Sequence, residues 1–230
     1  ANNYLDRELD KRMLRTQKRA LPTHAVPAQA AIVLALVSGI IGFVILASKV
    51  NWLVVILGAV AYVDYVVAYG WTKRHSVWST WIGTISGSLS LVAGYCAVAG
   101  RLDRVAVLLF TLMVFWQMAH FYAVGIYRLE DYRAANLPIW PVRYGLGGLR
   151  AQIISYIVLF ALAAMALTLI GSTGLIYLIV TVVLSLGWLR VAVRPWRAKH
   201  EAKWAGAVFG YSLLVITVLP LALAAGPHLP

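Results

Sequence analysis

Seven long apolar stretches occupy most of this 230-residue chain and leave it few ways to fold. A stretch of about 20 apolar residues is long enough to cross a bilayer, and inside lipid its backbone groups must bond to one another. No alternation of polar and apolar residues indicates strands. The sequence therefore predicts an all-α, polytopic transmembrane helical bundle that forms a single integral-membrane domain over residues 1–230. The predicted spans are 29–48, 52–71, 80–99, 105–124, 150–170, 174–193 and 204–225.

The composition excludes a soluble domain. Charged residues make up 12% of the chain, about half the share that a soluble domain carries. The net charge of +12 would suit a nucleic-acid partner, but the basic residues lie in short loops between apolar spans, where membrane topology accounts for them. We therefore expect the lipid bilayer as a partner, and no nucleic acid.

Lys and Arg residues are distributed unequally between the two ends of the predicted spans. Seventeen of the 20 lie in regions that alternate onto one side. Those regions are the N-terminal segment, 72–79, 125–150 and 190–203. The other side holds Lys49, Arg101 and Arg104. Because loops rich in Lys and Arg stay in the cytoplasm, the N-terminal segment and its companion loops are predicted to be cytoplasmic.

The N-terminal segment combines acidic and basic groups. Asn2, Asp6 and Asp10 recur every four residues, so on a helix their side chains lie along one face. An amide and two carboxylates are hard oxygen ligands, suited to Mg²⁺ that also holds phosphate. The basic run 11–19 follows, as an anionic head group would require. The alternative is a solvated, charged segment beside the membrane.

Two further charged segments, 73–76 and 127–133, are predicted on the same side of the membrane. Each mixes charged and aromatic or histidine residues, and 127–133 carries acids as well, whereas loops that only set topology need bases alone. Together with the N-terminal segment they suggest a diphosphate bridged by a metal ion, with an apolar tail between the helices.

A stripe of side chains at helical spacing enters the fourth span. Its residues are Gln117, His120, Val124, Tyr127, Arg128 and Asp131. Polar groups inside a membrane span normally face the bundle interior. A continuous helix from His120 to Asp131 would rise about 16 Å, the scale of a large planar ligand or a prenyl chain. We expect this helix to break near Asn136. His120 is either part of a ligand site or a hydrogen-bonded structural residue.

Asp64 lies inside the second predicted span, between Tyr62 and Tyr65. An intramembrane carboxylate is a functional-site candidate because its burial is costly. The alternative is a structural acid that fixes helix packing, and we favour that structural role.

With these residues the chain resembles the heme O synthase (protoheme IX farnesyltransferase) family of the UbiA-type membrane prenyltransferase superfamily. The similarity covers nearly the whole chain. Where other members of the superfamily carry a second Asp-x-x-x-Asp, this chain has Arg128 and Asp131, which points to the heme branch. The matching segments are 2–10, 13–16, 73–77, 80–83, 94–98, 116–120, 127–138, 204–205 and 209–210.

The resemblance implies transfer of a farnesyl group from farnesyl diphosphate to a vinyl group of heme B, with addition of water, giving heme O for heme-copper terminal oxidases. It implies Mg²⁺ as cofactor and heme B as a substrate that His120 contacts, either as an axial ligand of the iron or in another way. The implied catalytic residues are Asn2, Asp6, Asp10, Lys73, Arg74 and Asp131. The implied substrate-binding residues are Arg15, Arg19, Gln117, His120, Tyr127 and Arg128. The implied metal ligands are Asp6, Asp10 and Asp131.

The resemblance further implies a bacterial cytoplasmic (inner) membrane, and a heme A synthase or a terminal oxidase assembly as partner. Since the family has nine spans, we expect this chain to lack the first and most of the second. The chain departs from the family at 87–91, where a Pro pair is usual, and at Ala119. Three alternatives stay open: a prenyltransferase for an aromatic quinone precursor, a non-catalytic protein that binds or transports heme, and an inactive paralogue.

Overall fold

The computed structural model of the chain describes residues 1–194 and 200–225. Over these ranges the regular structure is helical, without a β-strand. A π-helical turn, Asp64–Ala68, joins the fourth helix to the fifth. In chain order the helices are α1 (Asn2–Leu5), α2 (Arg7–Asp10), α3 (Ala28–Lys49), α4 (Trp52–Val63), α5 (Tyr69–His75), α6 (Ser79–Ala99), α7 (Arg104–Tyr127), α8 (Leu129–Ala134), α9 (Trp140–Tyr144), α10 (Leu149–Leu169), α11 (Leu175–Val193) and α12 (Glu201–Ala225).

Seven helical segments in the described ranges are long and apolar enough to cross a membrane. Each one overlaps a predicted span, so the all-α prediction is confirmed. The second span is longer than predicted, because α4, the π turn and α5 continue as one segment, Trp52–His75.

Polar side chains and a glycine set the ends of several spans. Asn51 Oδ1 accepts a hydrogen bond from Val54 N at 3.0 Å where α4 begins. Asp103 Oδ1 accepts one from Val105 N at 3.0 Å where α7 begins. Gly100, at φ 66°, ends α6 in the left-handed conformation. The two side chains accept hydrogen bonds from backbone N–H groups that the first helical turn leaves unpaired, and the glycine adopts a conformation that ends the helix. The helix borders therefore follow from local sequence.

The stripe predicted from Gln117 to Asp131 does not lie on one continuous helix. Helix α7 ends at Tyr127, Arg128 has φ −112° and ψ 27°, and α8 begins at Leu129. The expected break near Asn136 is present, since α8 ends at Ala134 and Asn136 has φ 52°, but the earlier break at Arg128 was not predicted. Glu130 and Asp131 stand in the first turn of α8, where carboxylates favour a new helix start through its dipole.

The chain forms two compact units. Unit 1 comprises 1–101 and 129–143, and unit 2 comprises 102–128 and the described residues from 144 onward. Such units are not by themselves separate domains, so the single-domain prediction stays a prediction. In unit 1, α4 packs against α6, and an apolar cluster joins the N-terminal segment to α8 and the residues after it. The cluster consists of Met13, Ala135 and Leu137, with Leu9 and Tyr132 packed against it.

Unit 2 is built around α7, which packs against α10 and α12, while α11 packs on the same two helices. Three indole N–H groups in its core donate hydrogen bonds to backbone carbonyls. The pairs are Trp116 to Ser212 (3.0 Å), Trp188 to Val208 (3.1 Å) and Trp204 to Ala192 (3.2 Å). Because the bilayer interior offers no water, these bonds satisfy donors that burial would otherwise leave unpaired.

Candidate active site

The predicted acidic face is present in unit 1 as two short helical turns that meet at Asp6. Asp6 N donates to Asn2 O at 2.9 Å, and Asp10 N donates to Asp6 O at 2.8 Å. These bonds keep the four-residue repeat, so Asn2, Asp6 and Asp10 follow one face of the N-terminal turns.

Lys73 brings the second charged segment onto this face. Its side chain is buried, and its Nζ donates to Asn2 Oδ1 at 3.0 Å and to Asp6 Oδ2 at 2.5 Å. The ring of Tyr69 lies 5.2 Å from the same ammonium group. A buried cation thus lies between the amide and the first carboxylate of the predicted ligand set.

Arg74 reaches the same carboxylate from a more exposed position. It donates to Leu5 O and lies 3.6 Å from Asp6 Oδ1. Within the described residues, Asp6 Oδ1 is buried and has no hydrogen-bond partner. The site therefore joins two cations of α5 to one carboxylate that retains an unused acceptor atom.

Asp10 is held by a different cation. Its carboxylate is almost fully buried and lies 3.0 Å from Arg19 Nη1, while its carbonyl accepts a bond from Thr16 Oγ1 at 3.0 Å. Asp10 and Arg19 line a cavity of about 400 Å³ together with Asn3, Ala20, Leu21, Pro22 and Val26. The basic run therefore turns back toward the acidic face, as an anion site requires.

Two predicted residues of unit 1 are not drawn into these contacts. Arg15 is exposed and makes no hydrogen bond or ion pair with the described residues. Asp131 is partly buried, and its side chain has no such partner there either. Across the described ranges, no three His, Cys, Asp or Glu side chains gather as a metal-binding group. The three-carboxylate ligand set Asp6, Asp10 and Asp131 is thus not assembled, and the metal site stays a prediction.

In unit 2, His120 lies among aromatic rings and one serine. Its Nδ1 is 2.7 Å from Ser212 Oγ on α12. Its ring stacks on Trp116 with centroids 4.7 Å apart and lies 5.0 Å from the ring of Phe209. Gln117 is buried beside it on α7, and its amide donates to Met113 O at 3.2 Å.

The rings continue from His120 to the end of α7. Phe209 stacks on Tyr127 with centroids 6.1 Å apart, and the guanidinium of Arg128 lies 4.6 Å from the Tyr127 ring. We call Trp116, His120, Phe209 and Tyr127, with Arg128 at its end, the aromatic run. Its rings are stacked or tilted against one another, with the planes of His120 and Phe209 52° apart. The run thus combines apolar rings and an imidazole with a cation at its end, groups that suit a planar, anionic ligand.

Asp64 has a structural partner in unit 1. Its Oδ2 accepts a hydrogen bond from Ser86 N at 3.1 Å, so the π turn is tied to the middle of α6. This geometry agrees with the structural role that we favoured from the sequence.

The structure adds residues that the sequence reasoning did not single out. Ser212 bonds His120, Tyr69 covers Lys73, and Gly206 lies against the Tyr127 ring, where an added Cβ would come within 3.2 Å. Serine, tyrosine and glycine are common inside apolar helices, so the sequence carries no signal that singles out these three residues. Only their contacts in the folded structure do so.

Comparison with known proteins identifies the family. The UbiA prenyltransferase family matches residues 1–224. A protoheme IX farnesyltransferase of Protochlamydia amoebophila is 40% identical over 96% of this chain and 78% of its own length. A protein of the same name from Salmonella typhimurium is 41% identical over 96% of this chain and 75% of its own.

A solved structure described as digeranylgeranylglyceryl phosphate synthase is similar with a TM-score of 0.73, over 98% of this chain and 78% of that one. At 19% identity this likeness shows the fold alone. The full-length family match and the relatives at 40% identity go further. The chain belongs to the UbiA prenyltransferase family, in the branch of the protoheme IX farnesyltransferases.

Proposed function

We propose that this membrane prenyltransferase transfers a farnesyl group from farnesyl diphosphate to a vinyl group of heme B and adds water, giving heme O. The observation that carries the proposal is the aromatic run of unit 2, a series of stacked and tilted rings that includes an imidazole and ends at Arg128. It occurs in a chain 40% identical to proteins named protoheme IX farnesyltransferase.

Unit 1 supports a diphosphate-binding role. Lys73 and Arg74 both reach Asp6, and Arg19 lines a cavity beside Asp10. When the allylic C–O bond breaks, the electron pair leaves with the diphosphate, and these cations stabilise the charge that develops on it. Arg15 is exposed nearby in sequence and adds positive charge to the same basic run.

Mg²⁺ fits the oxygen donors of the N-terminal turns. Among the described residues, Asp6 Oδ1 is buried without a hydrogen-bond partner, and carboxylate and amide oxygens are the ligands that Mg²⁺ prefers. Asp6 and Asp10, with Asn2 and Asp131, would hold the ion, which supplies charge to the leaving diphosphate when bound.

The acceptor side of the reaction is assigned to unit 2. The rings of the aromatic run would give apolar contacts to the macrocycle of heme, and Arg128 would offer a cation to a propionate. The vinyl group donates its π electrons to C1 of the farnesyl cation, which forms the new C–C bond. Water then adds to the resulting cation beside the macrocycle and loses a proton, which leaves a hydroxyethylfarnesyl substituent.

The membrane context follows from the seven apolar spans. The bias of Lys and Arg supports a cytoplasmic position for the N-terminal segment and for the loops with Lys73 and Asp131. We assign the protein to the bacterial inner membrane, where heme O would pass to a heme A synthase or a terminal oxidase assembly.

The proposal is tested with membranes that contain the full-length protein, supplied with heme B, farnesyl diphosphate and Mg²⁺. We expect a new heme, heavier by a farnesyl group plus water, in the extract analysed by chromatography and mass spectrometry. If prenylated product forms only when an aromatic quinone precursor replaces heme B, the acceptor assignment is wrong. If no diphosphate is released with either acceptor, the enzymatic function itself is wrong.

The diphosphate site is tested by Asp6→Asn and Asp10→Asn, with Glu8→Gln as the matched control. Glu8 lies on the same two turns but is exposed, and its ion pairs among the described residues are with Arg7 and Lys11. We expect each aspartate variant to lower turnover at least about 100-fold, because a charge group at the reacting centre is lost, while the control stays near wild type. Binding of a non-hydrolysable farnesyl diphosphate analogue should require Mg²⁺, and binding that survives chelation would contradict the metal assignment.

A further inference from the structure

The hydrogen bonds around Ser212 decide which nitrogen of His120 carries its proton. Ser212 is completely buried on α12, and its Oγ is 2.6 Å from Phe209 O. A serine hydroxyl has one proton to donate. Since a carbonyl can only accept, that proton is directed to Phe209, and Oγ is left as an acceptor toward His120.

His120 then has to donate through Nδ1, which lies 2.7 Å from Ser212 Oγ. In a neutral imidazole a proton on Nδ1 leaves Nε2 with a free lone pair. Within the described residues no hydrogen bond engages Nε2. The ring is also held in place, because Trp116 stacks on it while the Trp116 indole donates to Ser212 O at 3.0 Å.

We propose that Ser212 is a positioning residue that fixes His120 as the Nδ1–H tautomer and leaves Nε2 as the ligand atom for the heme B iron. This inference rests on the proposed function, because heme B is the ligand that it assigns. A metal-bound histidine is commonly held this way, with its second nitrogen bonded to a neighbouring acceptor. Loss of such an acceptor weakens metal binding about 10- to 100-fold.

The first test reads the tautomer without any heme. The full-length protein is labelled with ¹⁵N-histidine, and the His120 signals are assigned by their absence in His120→Ala. We expect a protonated Nδ1 and an unprotonated Nε2 in the wild-type protein, and a mixture of tautomers in Ser212→Ala. A proton on Nε2 in the wild type would overturn the inference, whatever the enzyme's activity.

The second test adds ferric heme B to the purified protein and follows its absorption and electron paramagnetic resonance spectra. Ser212→Ala is expected to weaken binding about 10- to 100-fold and to change the spin state, and Ser212→Thr to restore both. Ser185→Ala is the matched control, because Ser185 is a buried serine of unit 2 whose Oγ has no hydrogen-bond partner among the described residues. Its spectra should match those of the wild type.

The outcomes separate this inference from the proposed function. Spectra that are identical in wild type and His120→Ala, with heme O still produced, overturn the ligand assignment but leave the farnesyl transfer intact. The opposite result is also informative. If no heme O forms, but heme binding depends on His120 and is weakened by Ser212→Ala, the inference is supported and the proposed farnesyl transfer is contradicted. If Ser212→Ala does not fold, the wild-type tautomer and the Ser212→Thr spectra still decide the question.

Discussion

Lys73 is a buried cation held by two acceptors on the N-terminal turns, Asn2 and Asp6. Burying a charge is costly unless it is paired and hydrogen-bonded. The contact links the N-terminal turns to α5. This contact could not be predicted from the sequence, since Asp6 and Lys73 are 67 positions apart along the chain.

At this residue scale we predict that Lys73→Met destabilises the protein by about 3 kcal/mol, because it leaves the Asp6 carboxylate with less compensation. Arg133→Met is the control, since its pair with Glu130 is exposed and exposed pairs contribute about 0.5 kcal/mol. Denaturant unfolding in mixed micelles measures both. Equal free energies of unfolding for the two variants would show that the buried pair contributes no special stability.

At the scale of elements, the π turn Asp64–Ala68 interrupts the second span and places the Asp64 carboxylate at Ser86 N. A π turn widens the helix and re-aims its side chains. Burying a carboxylate at this depth in a membrane span costs free energy, and the hydrogen bond from Ser86 N offsets part of that cost. The π turn is thereby tied to α6 by a polar contact, in addition to the hydrogen bond that Asn51 Nδ2 donates to Cys96 O at 3.1 Å where α4 begins.

We predict that Asp64→Ala lowers the free energy of unfolding by about 2 kcal/mol, because a buried hydrogen bond is lost, while turnover per folded molecule stays unchanged. Asp64→Asn keeps an acceptor oxygen and should be closer to wild type. Unfolding curves and steady-state rates on the same preparations provide the measurement. A 100-fold fall in rate for Asp64→Asn, with stability preserved, would assign Asp64 to catalysis.

The contact between α7 and α12 is close at Gly206, where an added Cβ would meet the Tyr127 ring at 3.2 Å. Gly206→Ala is expected to displace Tyr127 and raise KM for heme B about fivefold, the equivalent of about 1 kcal/mol of overpacking. Gly210→Ala, on the same helix, is the control because nothing lies within 4 Å of its added Cβ. A KM unchanged in both variants would remove Tyr127 from the heme site.

At the scale of the whole molecule, the charge bias makes a prediction about sidedness. In a Cys96→Ser background, a single cysteine at Lys11 or Glu130, both exposed, should react with a membrane-impermeant maleimide only in inside-out vesicles. A cysteine at Arg101, also exposed, should react only in right-side-out vesicles. The reverse pattern would place the charged segments outside the cytoplasm and contradict the proposed cytoplasmic position of the N-terminal segment and its companion loops.

The spans and most of their borders were predictable from sequence because they depend on local chemistry, whereas the second span runs four residues past its predicted end at 71. Apolar runs require helices in lipid, and residues such as Asn51 and Asp103 cap those helices through bonds to backbone groups two or three residues away. The break near Asn136 was predicted, but the break at Arg128 was missed, since the choice between one helix and two differs by little free energy in the chain itself.

The sequence by itself determined the number of apolar spans, the four-residue repeat of Asn2, Asp6 and Asp10, and the resemblance to a family, because each is carried by spacing along the chain. Only the tertiary structure decided which cation meets which carboxylate, and that His120 faces Ser212 across two helices. Such pairings depend on distances between residues as many as 92 positions apart. Those distances are set by packing of the helices and not by the order of the residues.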